Sequence, residues 1–419
     1  MERFRNFSLL REFKKIYKIA NDIFQMNKWI WFVVAIIAIF LIVAAGNTKQ
    51  TPPSDQTQQP QVPANQTQQP QVPANQTQPS QEPISQPPQT QQYLLGVGYT
   101  QVNSMFTSAS AWSKAKDIAN VAYIQRNWKE SGNTGNKNFY DAIKDDVNEA
   151  RKNGLKIYLA LEVLNYDRSG MSLPSDLSGD FTSADVRNAY IDTVKSVASD
   201  YKPDYFIINV EVNRYKDDNL ASYNAYKELY KQAYDEVKAA SPQTKIAISI
   251  SLEDYNNKDC IDPEDLAVFK DFAADFEKQD VLAVSVYPNC YFDPKTMPET
   301  FLNDIAKLSQ KPVFISETGR MSEGVSIPGF TYPSSQQAQA DYIDQLSKAA
   351  DYAVKKGKKI DTINYIALTD PDKAVCDSIK SIDASLAWYC TLALIQDDST
   401  EKIGYGTFGQ WKNRLAGAQ

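Results

Sequence analysis

The feature that most constrains this chain is an alternation of short apolar runs with amphipathic helical patterns, which extends from Tyr93 almost to the C-terminus. Short apolar runs bounded by turn residues are typical of buried strands, whereas apolar positions spaced three and four apart are typical of helices. The runs predict strands at residues 94–99, 121–126, 156–161, 205–211, 245–252, 281–287, 312–317 and 362–368. Helical patterns lie between them, at residues 108–120, 138–153, 183–200, 220–240, 263–278, 298–308 and 335–356.

Eight strands alternating with seven helical patterns in 327 residues match the strand count and size of a (β/α)8 barrel, an α/β fold. An open, doubly wound sheet is the structural alternative. It favours a glycine-rich phosphate loop after its first strand, and the sequence LGVGYTQVN, which begins at Leu95, lacks the GxGxxG pattern. We therefore predict a (β/α)8 TIM barrel over residues 93–419.

A hydrophobic segment precedes the barrel. Residues 1–28 are polar with a basic bias, and residues 29–45 form an unbroken apolar run. This length is at the short end of the roughly 17–25 residues that a membrane-spanning helix needs. Because the basic residues precede the run, we predict a single-pass signal-anchor helix at residues 29–46 in the lipid bilayer of the cell membrane, with the N-terminus cytoplasmic and all later residues extracellular. A cleaved signal peptide is the alternative, because Ala44, Ala45 and Gly46 are small.

The composition of residues 47–92 predicts a disordered stalk. The segment consists almost wholly of Gln, Pro, Thr, Asn, Ser, Val and Ala, and the decapeptide QTQQPQVPAN occurs twice in succession, from Gln56 and from Gln66. Pro- and Gln-rich sequence with few charges cannot bury a core and is typical of extended linkers. Asn65 and Asn75 each begin an Asn-Gln-Thr sequon, a candidate glycosylation site.

Composition also excludes several classes of function. The net charge of −7 argues against a nucleic-acid partner, which favours a basic surface. The chain contains no histidine, so histidine-based catalytic triads and histidine zinc sites are excluded. Proton transfer near neutral pH is left mainly to carboxylates and to Tyr, Lys or Cys side chains with shifted pKa values. We expect no metal and no cofactor.

Two predicted strands end on a glutamate. The strand 205–211 ends on Glu211, and the strand 312–317 ends on Glu317. An ionised carboxylate is costly to bury unless it is partnered or used, and barrel enzymes place their chemistry at the C-terminal ends of the strands. The two strands therefore predict a paired-carboxylate site at one mouth of the barrel. Candidate ligand contacts at the same mouth are Arg126, Trp128, Asn213, Tyr287, Asp370 and Trp388.

The order of several motifs resembles that of a known family. ISETGR around Glu317, VSVYPN around Tyr287, Arg126 on the second predicted strand and YIALTDP around Asp370 are similar to segments of the clan A retaining glycoside hydrolases, the 4/7 superfamily of (β/α)8 barrels. Endo-β-1,4-galactanase-like members are the most similar in character. The resemblance implies a carbohydrate substrate, Glu317 as nucleophile, Glu211 as acid/base, and Arg126 in contact with the nucleophile.

The chain departs from this family at Val210, where the family carries an Asn that bonds the sugar 2-hydroxyl. Because side chains alternate along a strand, we expect Val210 to point toward the helix layer and Glu211 and Asn213 to share the opposite face. We therefore expect Asn213, at the mouth of the barrel, to take over the contact with the 2-hydroxyl.

The predicted function is a membrane-anchored extracellular retaining glycoside hydrolase that cleaves β-linked polysaccharide or glycan with two glutamates. The alternative is a catalytically inactive barrel that binds carbohydrate or acts in cell-surface adhesion. The sugar, the linkage, endo or exo action and the oligomeric state stay open.

An extracellular domain predicts oxidised cysteines. The four cysteines allow three pairings. Cys260 and Cys290 follow the fifth and sixth predicted strands on adjacent loops, whereas Cys376 and Cys390 both follow the eighth. We expect the pairs Cys260–Cys290 and Cys376–Cys390, which would brace loops around the mouth of the barrel.

The predicted topology is tested by adding protease to intact cells that produce the full-length protein. We expect release of a soluble fragment whose N-terminus lies within residues 47–92. A fragment that forms only after lysis would contradict the topology, and a mature N-terminus near Gly46 would favour the cleaved signal peptide.

Overall fold

The computed structural model describes residues 93–99, 103–131, 137–252, 266–327 and 330–417. The predicted anchor and stalk lie outside these residues, as does Cys260. In the part of the chain that the structure describes, no helix combines the length and apolarity needed to cross a bilayer.

Nine parallel strand segments form the central sheet: β1 Leu94–Gly98, β2 Val121–Asn127, β3 Lys156–Glu162, β4 Tyr205–Ile207, β5 Lys245–Ala247, β6 Ser249–Ser251, β7 Leu282–Ser285, β8 Val313–Thr318 and β11 Ile360–Tyr365. Their spatial order is β5-β4-β3-β2-β1-β11-β8-β7-β6. A separate antiparallel pair joins β9 Val325–Ile327 to β10 Phe330–Tyr332. Each predicted strand therefore has a counterpart in the structure.

The sheet curves into a nearly closed barrel through the fifth predicted strand. That strand is interrupted at Ile248, so β5 pairs with β4 on one side while β6 pairs with β7 on the other. β1 lies between β2 and β11, which joins the first strand of the barrel to the last. The (β/α)8-like architecture that the sequence predicts is confirmed. Because the fifth strand counts as two segments, the predicted seventh strand is β8.

Helices follow most strands. Those that the structure describes are α1 Ser108–Ile118, α2 Lys137–Lys152, α3 Ala184–Tyr201, α4 Leu220–Ala240, α5 Leu266–Asp275, α6 Phe301–Ile305, α7 Gln336–Lys355, α8 Lys373–Ile382 and α9 Ile403–Gly417. α1 begins at a capping box in which Thr107 and Ser110 satisfy each other's backbone N–H groups. The sequence did not predict α8 or α9. In α9, Trp411 donates a hydrogen bond of 3.0 Å to the hydroxyl of Tyr93, which ties the C-terminal helix to the start of β1.

Two apolar layers hold the barrel together. The larger layer fills the space between strands and helices, and the smaller one fills the barrel interior. Aromatic rings dominate the interior. The ring of Tyr158 stacks on Tyr123 at a centroid distance of 4.4 Å and meets Phe314 edge-on at 4.9 Å. Burying one such side chain contributes roughly 1.5–3 kcal/mol, so the interior is a packed core rather than a channel.

A disulfide joins Cys376 in α8 to Cys390 in the 3₁₀ segment Ala384–Thr391. This is one of the two pairings expected from the sequence. Cys290 is also disulfide-bonded, and its expected partner, Cys260, lies outside the described residues.

Candidate active site

Glu211 lies beyond β4, in a sharply bent stretch of backbone at residues 208–211. Its backbone is left-handed, with φ 52° and ψ 42°. A non-glycine residue in this conformation costs on the order of 1–3 kcal/mol and persists only where its surroundings enforce it, most often at functional sites. One contact that holds the backbone in this conformation is the hydrogen bond of 2.9 Å that the Glu211 N–H donates to the Ser249 hydroxyl.

The carboxylate of Glu211 is buried and ion-paired. Nε of Arg168 lies 3.0 Å from Oε2, and the hydroxyl of Ser285 donates a hydrogen bond of 2.8 Å to Oε1. Arg214 lies farther away, at 3.8 Å from Oε2. The guanidinium of Arg168 also contacts Oε1 of Glu162, at the end of β3, at 2.5 Å. One buried arginine therefore bridges two carboxylates.

The second carboxylate, Glu317, lies in β8 and is as buried as Glu211, each being 6% exposed. Two tyrosines donate to it. The Tyr123 hydroxyl lies 2.6 Å from Oε1, and the Tyr287 hydroxyl lies 3.1 Å from Oε2. The two bonds hold the carboxyl group in one orientation without placing a cation in direct contact with it.

The two carboxyl groups titrate differently. Burial raises the pKa of Glu317, and the negative charge of Glu211 raises it further, to about 7. Burial also acts most strongly on Glu211, but the positive charges of Arg168 and Arg214 together outweigh it and lower the pKa of Glu211 below its ordinary value. Near neutral pH Glu211 is therefore ionised, whereas Glu317, with a pKa of about 7, is protonated in part of the molecules. The sequence predicted the opposite arrangement, with charge stabilisation at Glu317.

Arg126 does not contact Glu317, so its predicted role is wrong. Its guanidinium pairs with Asp146 in α2 and donates a hydrogen bond to the Gln125 carbonyl. The reason is strand alternation: Tyr123 faces the barrel interior, so Arg126, three residues later, faces the helix layer. Tyr123, from the same strand, contacts Glu317 instead.

Trp128 is also not a substrate contact. Its side chain is fully buried, its indole N–H donates a hydrogen bond of 3.1 Å to Thr193, and its ring packs edge-on against Tyr190. Both partners belong to α3. The chain turns outward in the 3₁₀ segment Trp128–Ser131, which carries this side chain into the layer between strands and helices.

Asn213 and Val210 are placed differently from their predicted positions. Asn213 is fully buried, and its amide exchanges two hydrogen bonds, of 2.8 and 2.9 Å, with the backbone of Ser251 in β6. Val210 belongs to the cluster in the barrel interior rather than to the helix layer. The bend after Ile207 and the left-handed Glu211 interrupt the strand alternation on which both predictions depended.

Asp370 is a structural residue. Oδ2 lies 2.5 Å from Nζ of Lys402, and Oδ1 accepts a hydrogen bond of 2.9 Å from the Ala393 N–H. Asp370 therefore holds the chain that follows β11 in place rather than reaching a ligand.

Tyr287 and Trp388 are better placed to contact a ligand. Their rings meet edge-on at 5.4 Å, and Trp388 is partly exposed beside the hydroxyl that contacts Glu317.

The parallel barrel is similar in fold to several solved glycoside hydrolases. A GH5_18 structure from Streptomyces cattleya in complex with GlcNAc superposes with a TM-score of 0.58 at 13% identity, covering 77% of this chain and 80% of that one. A GH5_18 structure from Bifidobacterium longum in complex with Manβ1-4GlcNAc gives 0.55 at 15% identity, covering 77% and 78%. Xylanase 10B from Thermotoga maritima gives 0.51 at 12% identity, covering 78% and 97%.

These likenesses concern the fold. No protein-family model matches the sequence, and no curated protein matches it.

The Asn213 geometry predicts a structural rather than a kinetic effect. Asn213→Ala removes both side-chain partners of the buried Ser251 backbone and should lower the free energy of unfolding by about 1–3 kcal/mol. Urea unfolding of the full-length protein measures this. Asn224→Ala, on the exposed face of α4, is the control and should stay within about 0.5 kcal/mol of the parent. Unchanged stability in Asn213→Ala would contradict the structural role.

Proposed function

We propose that this chain is a membrane-anchored extracellular retaining glycoside hydrolase that cleaves β-linked polysaccharide or glycan by double displacement. The observation that carries the proposal is the buried pair of Glu211 and Glu317, which lie close enough for the charge of Glu211 to raise the pKa of Glu317. Two neighbouring carboxyl groups at one site are the usual basis of acid and nucleophile roles in glycosidases. The proposed membrane anchor and extracellular location rest on the signal-anchor helix that the sequence predicts at residues 29–46.

In the proposed mechanism, the Glu317 carboxylate attacks the anomeric carbon while Glu211 donates its proton to the departing glycosidic oxygen. The attack forms a glycosyl ester on Glu317 and releases the leaving group as an alcohol. Glu211, now ionised, then takes a proton from water, and the water oxygen displaces Glu317 from the sugar. Tyr123 and Tyr287 orient the nucleophile through their bonds to its two oxygens.

The structural likenesses favour a β-linked glycan as substrate. Two of the similar structures contain GlcNAc or Manβ1-4GlcNAc, and a third is a xylanase. The partly exposed ring of Trp388 beside Tyr287 offers a flat apolar surface of the kind on which sugar faces stack.

A second candidate is a carbohydrate-binding barrel without catalysis. The ion pair between Arg168 and Glu211 favours it, because Arg168 stabilises the ionised form of Glu211, the group that should act as the acid. Val210 in the barrel interior favours it as well, since this side chain cannot form the hydrogen bond that Asn makes in the family.

Active-site variants of the full-length protein separate the two candidates. Glu317→Gln should abolish hydrolysis of aryl β-glycosides and glycans. Glu211→Ala should slow the cleavage of substrates with poor leaving groups by roughly 10²–10⁴-fold, since general acid catalysis contributes that much. Azide, which needs no general base, should partly restore turnover of an activated aryl glycoside by Glu211→Ala. Glu228→Gln, on the exposed face of α4, is the control and should retain parental activity.

A 2-deoxy-2-fluoro glycoside should label Glu317, detected by peptide mapping. Labelling of Glu211 would contradict the assigned roles. Full activity in either active-site variant would remove that residue from the mechanism, and a parent protein that binds glycans but hydrolyses none would favour the second candidate.

A further inference from the structure

Arg168 lies on a short, self-contained loop over the site. The antiparallel bridge between Leu164 and Met171 closes the loop. Inside it, the Asn165 N–H donates to the Gly170 carbonyl at 2.9 Å, and the Arg168 N–H donates to the Asn165 carbonyl at 3.0 Å. Arg168 itself has a left-handed backbone, with φ 62°. This turn directs its side chain down into the site.

The guanidinium is fastened to its own loop as well as to the site. Nη1 donates a hydrogen bond of 3.1 Å to the Asn165 carbonyl, and the side chain is only 9% exposed. The charge that neutralises Glu162 and Glu211 is therefore carried by the loop of residues 165–170. Displacement of this loop would remove the charge from both carboxylates together.

Other side-chain attachments of the loop lie at the surface. Asn219 donates a hydrogen bond of 2.5 Å to the Ser169 carbonyl, and the Tyr166 hydroxyl donates one of 3.1 Å to Asp383. Both contacts are exposed, and Tyr166 is 53% exposed. Exposed polar contacts of this kind contribute little to stability, whereas the ion pair of Arg168 with Glu211 is buried.

We propose that, in the glycosidase proposed above, Arg168 is a positioning residue that keeps Glu211 ionised in the empty site and leaves it when a glycan binds. The step conserves protons. Below about pH 7 the two carboxyl groups share one proton, and in the substrate-free protein it is on Glu317. When Arg168 withdraws, this proton moves to Glu211 and leaves Glu317 as the carboxylate that attacks the sugar.

The groups around Glu211 single out Arg168 as the controlling charge. Negative charges face it from Glu162 in β3 and, once deprotonated, Glu317 in β8. The neutral hydroxyls of Ser285 and Tyr389 complete the surroundings. The other cation, Arg214, lies at 3.8 Å with its side chain 30% exposed, against 3.0 Å and 9% for Arg168. Solvent therefore screens Arg214 more strongly.

The pH profile of kcat/KM tests the proposal in the full-length protein. Loss of the last proton from the pair sets the basic limb, expected near the Glu317 pKa of about 7. A neighbouring cation lowers carboxyl pKa values, so Arg168→Met should move the basic limb upward by roughly one to three pH units. Activity near neutral pH should rise above that of the parent, because more molecules carry the proton on Glu211.

Two further variants serve as controls for the expected shift of the basic limb. Arg168→Lys keeps the positive charge and should retain a basic limb near that of the parent. Arg414→Met removes an exposed arginine in α9 and should leave the profile unchanged. If Arg168→Met does not fold, the double variant Arg168→Met with Glu162→Gln is compared with Glu162→Gln alone, because the loss of the Glu162 charge is then common to both proteins. A basic limb that stays fixed when the cation is removed would overturn the proposal.

A second measurement does not depend on turnover. Side-chain carboxyl ¹³C signals of glutamate, assigned with Glu211→Gln and Glu317→Gln, report which group titrates first in the substrate-free protein. Glu211 should titrate below Glu317 in the parent, and its pKa should rise in Arg168→Met. If no glycan is cleaved but this order is observed, the glycosidase assignment fails while the role of Arg168 in the empty site stands. If glycans are cleaved but the order is reversed in the parent, the role of Arg168 fails alone.

Discussion

The buried charge at the mouth of the barrel is the constraint on which the rest of the site depends. Glu162, Glu211 and Glu317 converge there, and Arg168 is the cation in direct contact with two of them. Carboxylates withdrawn from water are costly unless they are paired or protonated. The structure uses both solutions. Arg168 forms ion pairs with Glu162 and Glu211, and the pKa of Glu317 is raised to about 7, which favours its protonated form.

Backbone geometry and this charge cluster support each other. The left-handed Glu211 is strained, and its side chain contacts Arg168 and Ser285 while its N–H contacts Ser249. These contacts come from three different strand ends or loops, so they form only once the barrel is nearly closed. The same bend rotates Asn213 into the backbone of β6. The site and the closure of the fifth strand are thus parts of one arrangement.

Much of the fold could be predicted from the sequence because strand and helix periodicities are local. The predicted helix at residues 220–240 and the predicted strand at residues 312–317, which carries Glu317, match the structure closely. The predicted alternation failed after Ile207, since a bend of a few residues reverses which side chains face inward. Val210 and Asn213 were misplaced for this reason alone. Arg126 was misplaced because its role came from the motif resemblance, whereas the alternation along β2 directs Tyr123 to the barrel interior and Arg126 to Asp146 in the helix layer.

Arg168 could not be found from local patterns. It lies in a polar loop and meets Glu211, 43 positions later, only through the folded barrel.

The central claim is that Glu211 and Glu317 together cleave a β-glycoside by double displacement. Its most direct test is the anomeric configuration of the first product, followed by ¹H NMR before mutarotation. A β-glycoside should release the β-anomer of the sugar, whereas the α-anomer as first product would contradict the account.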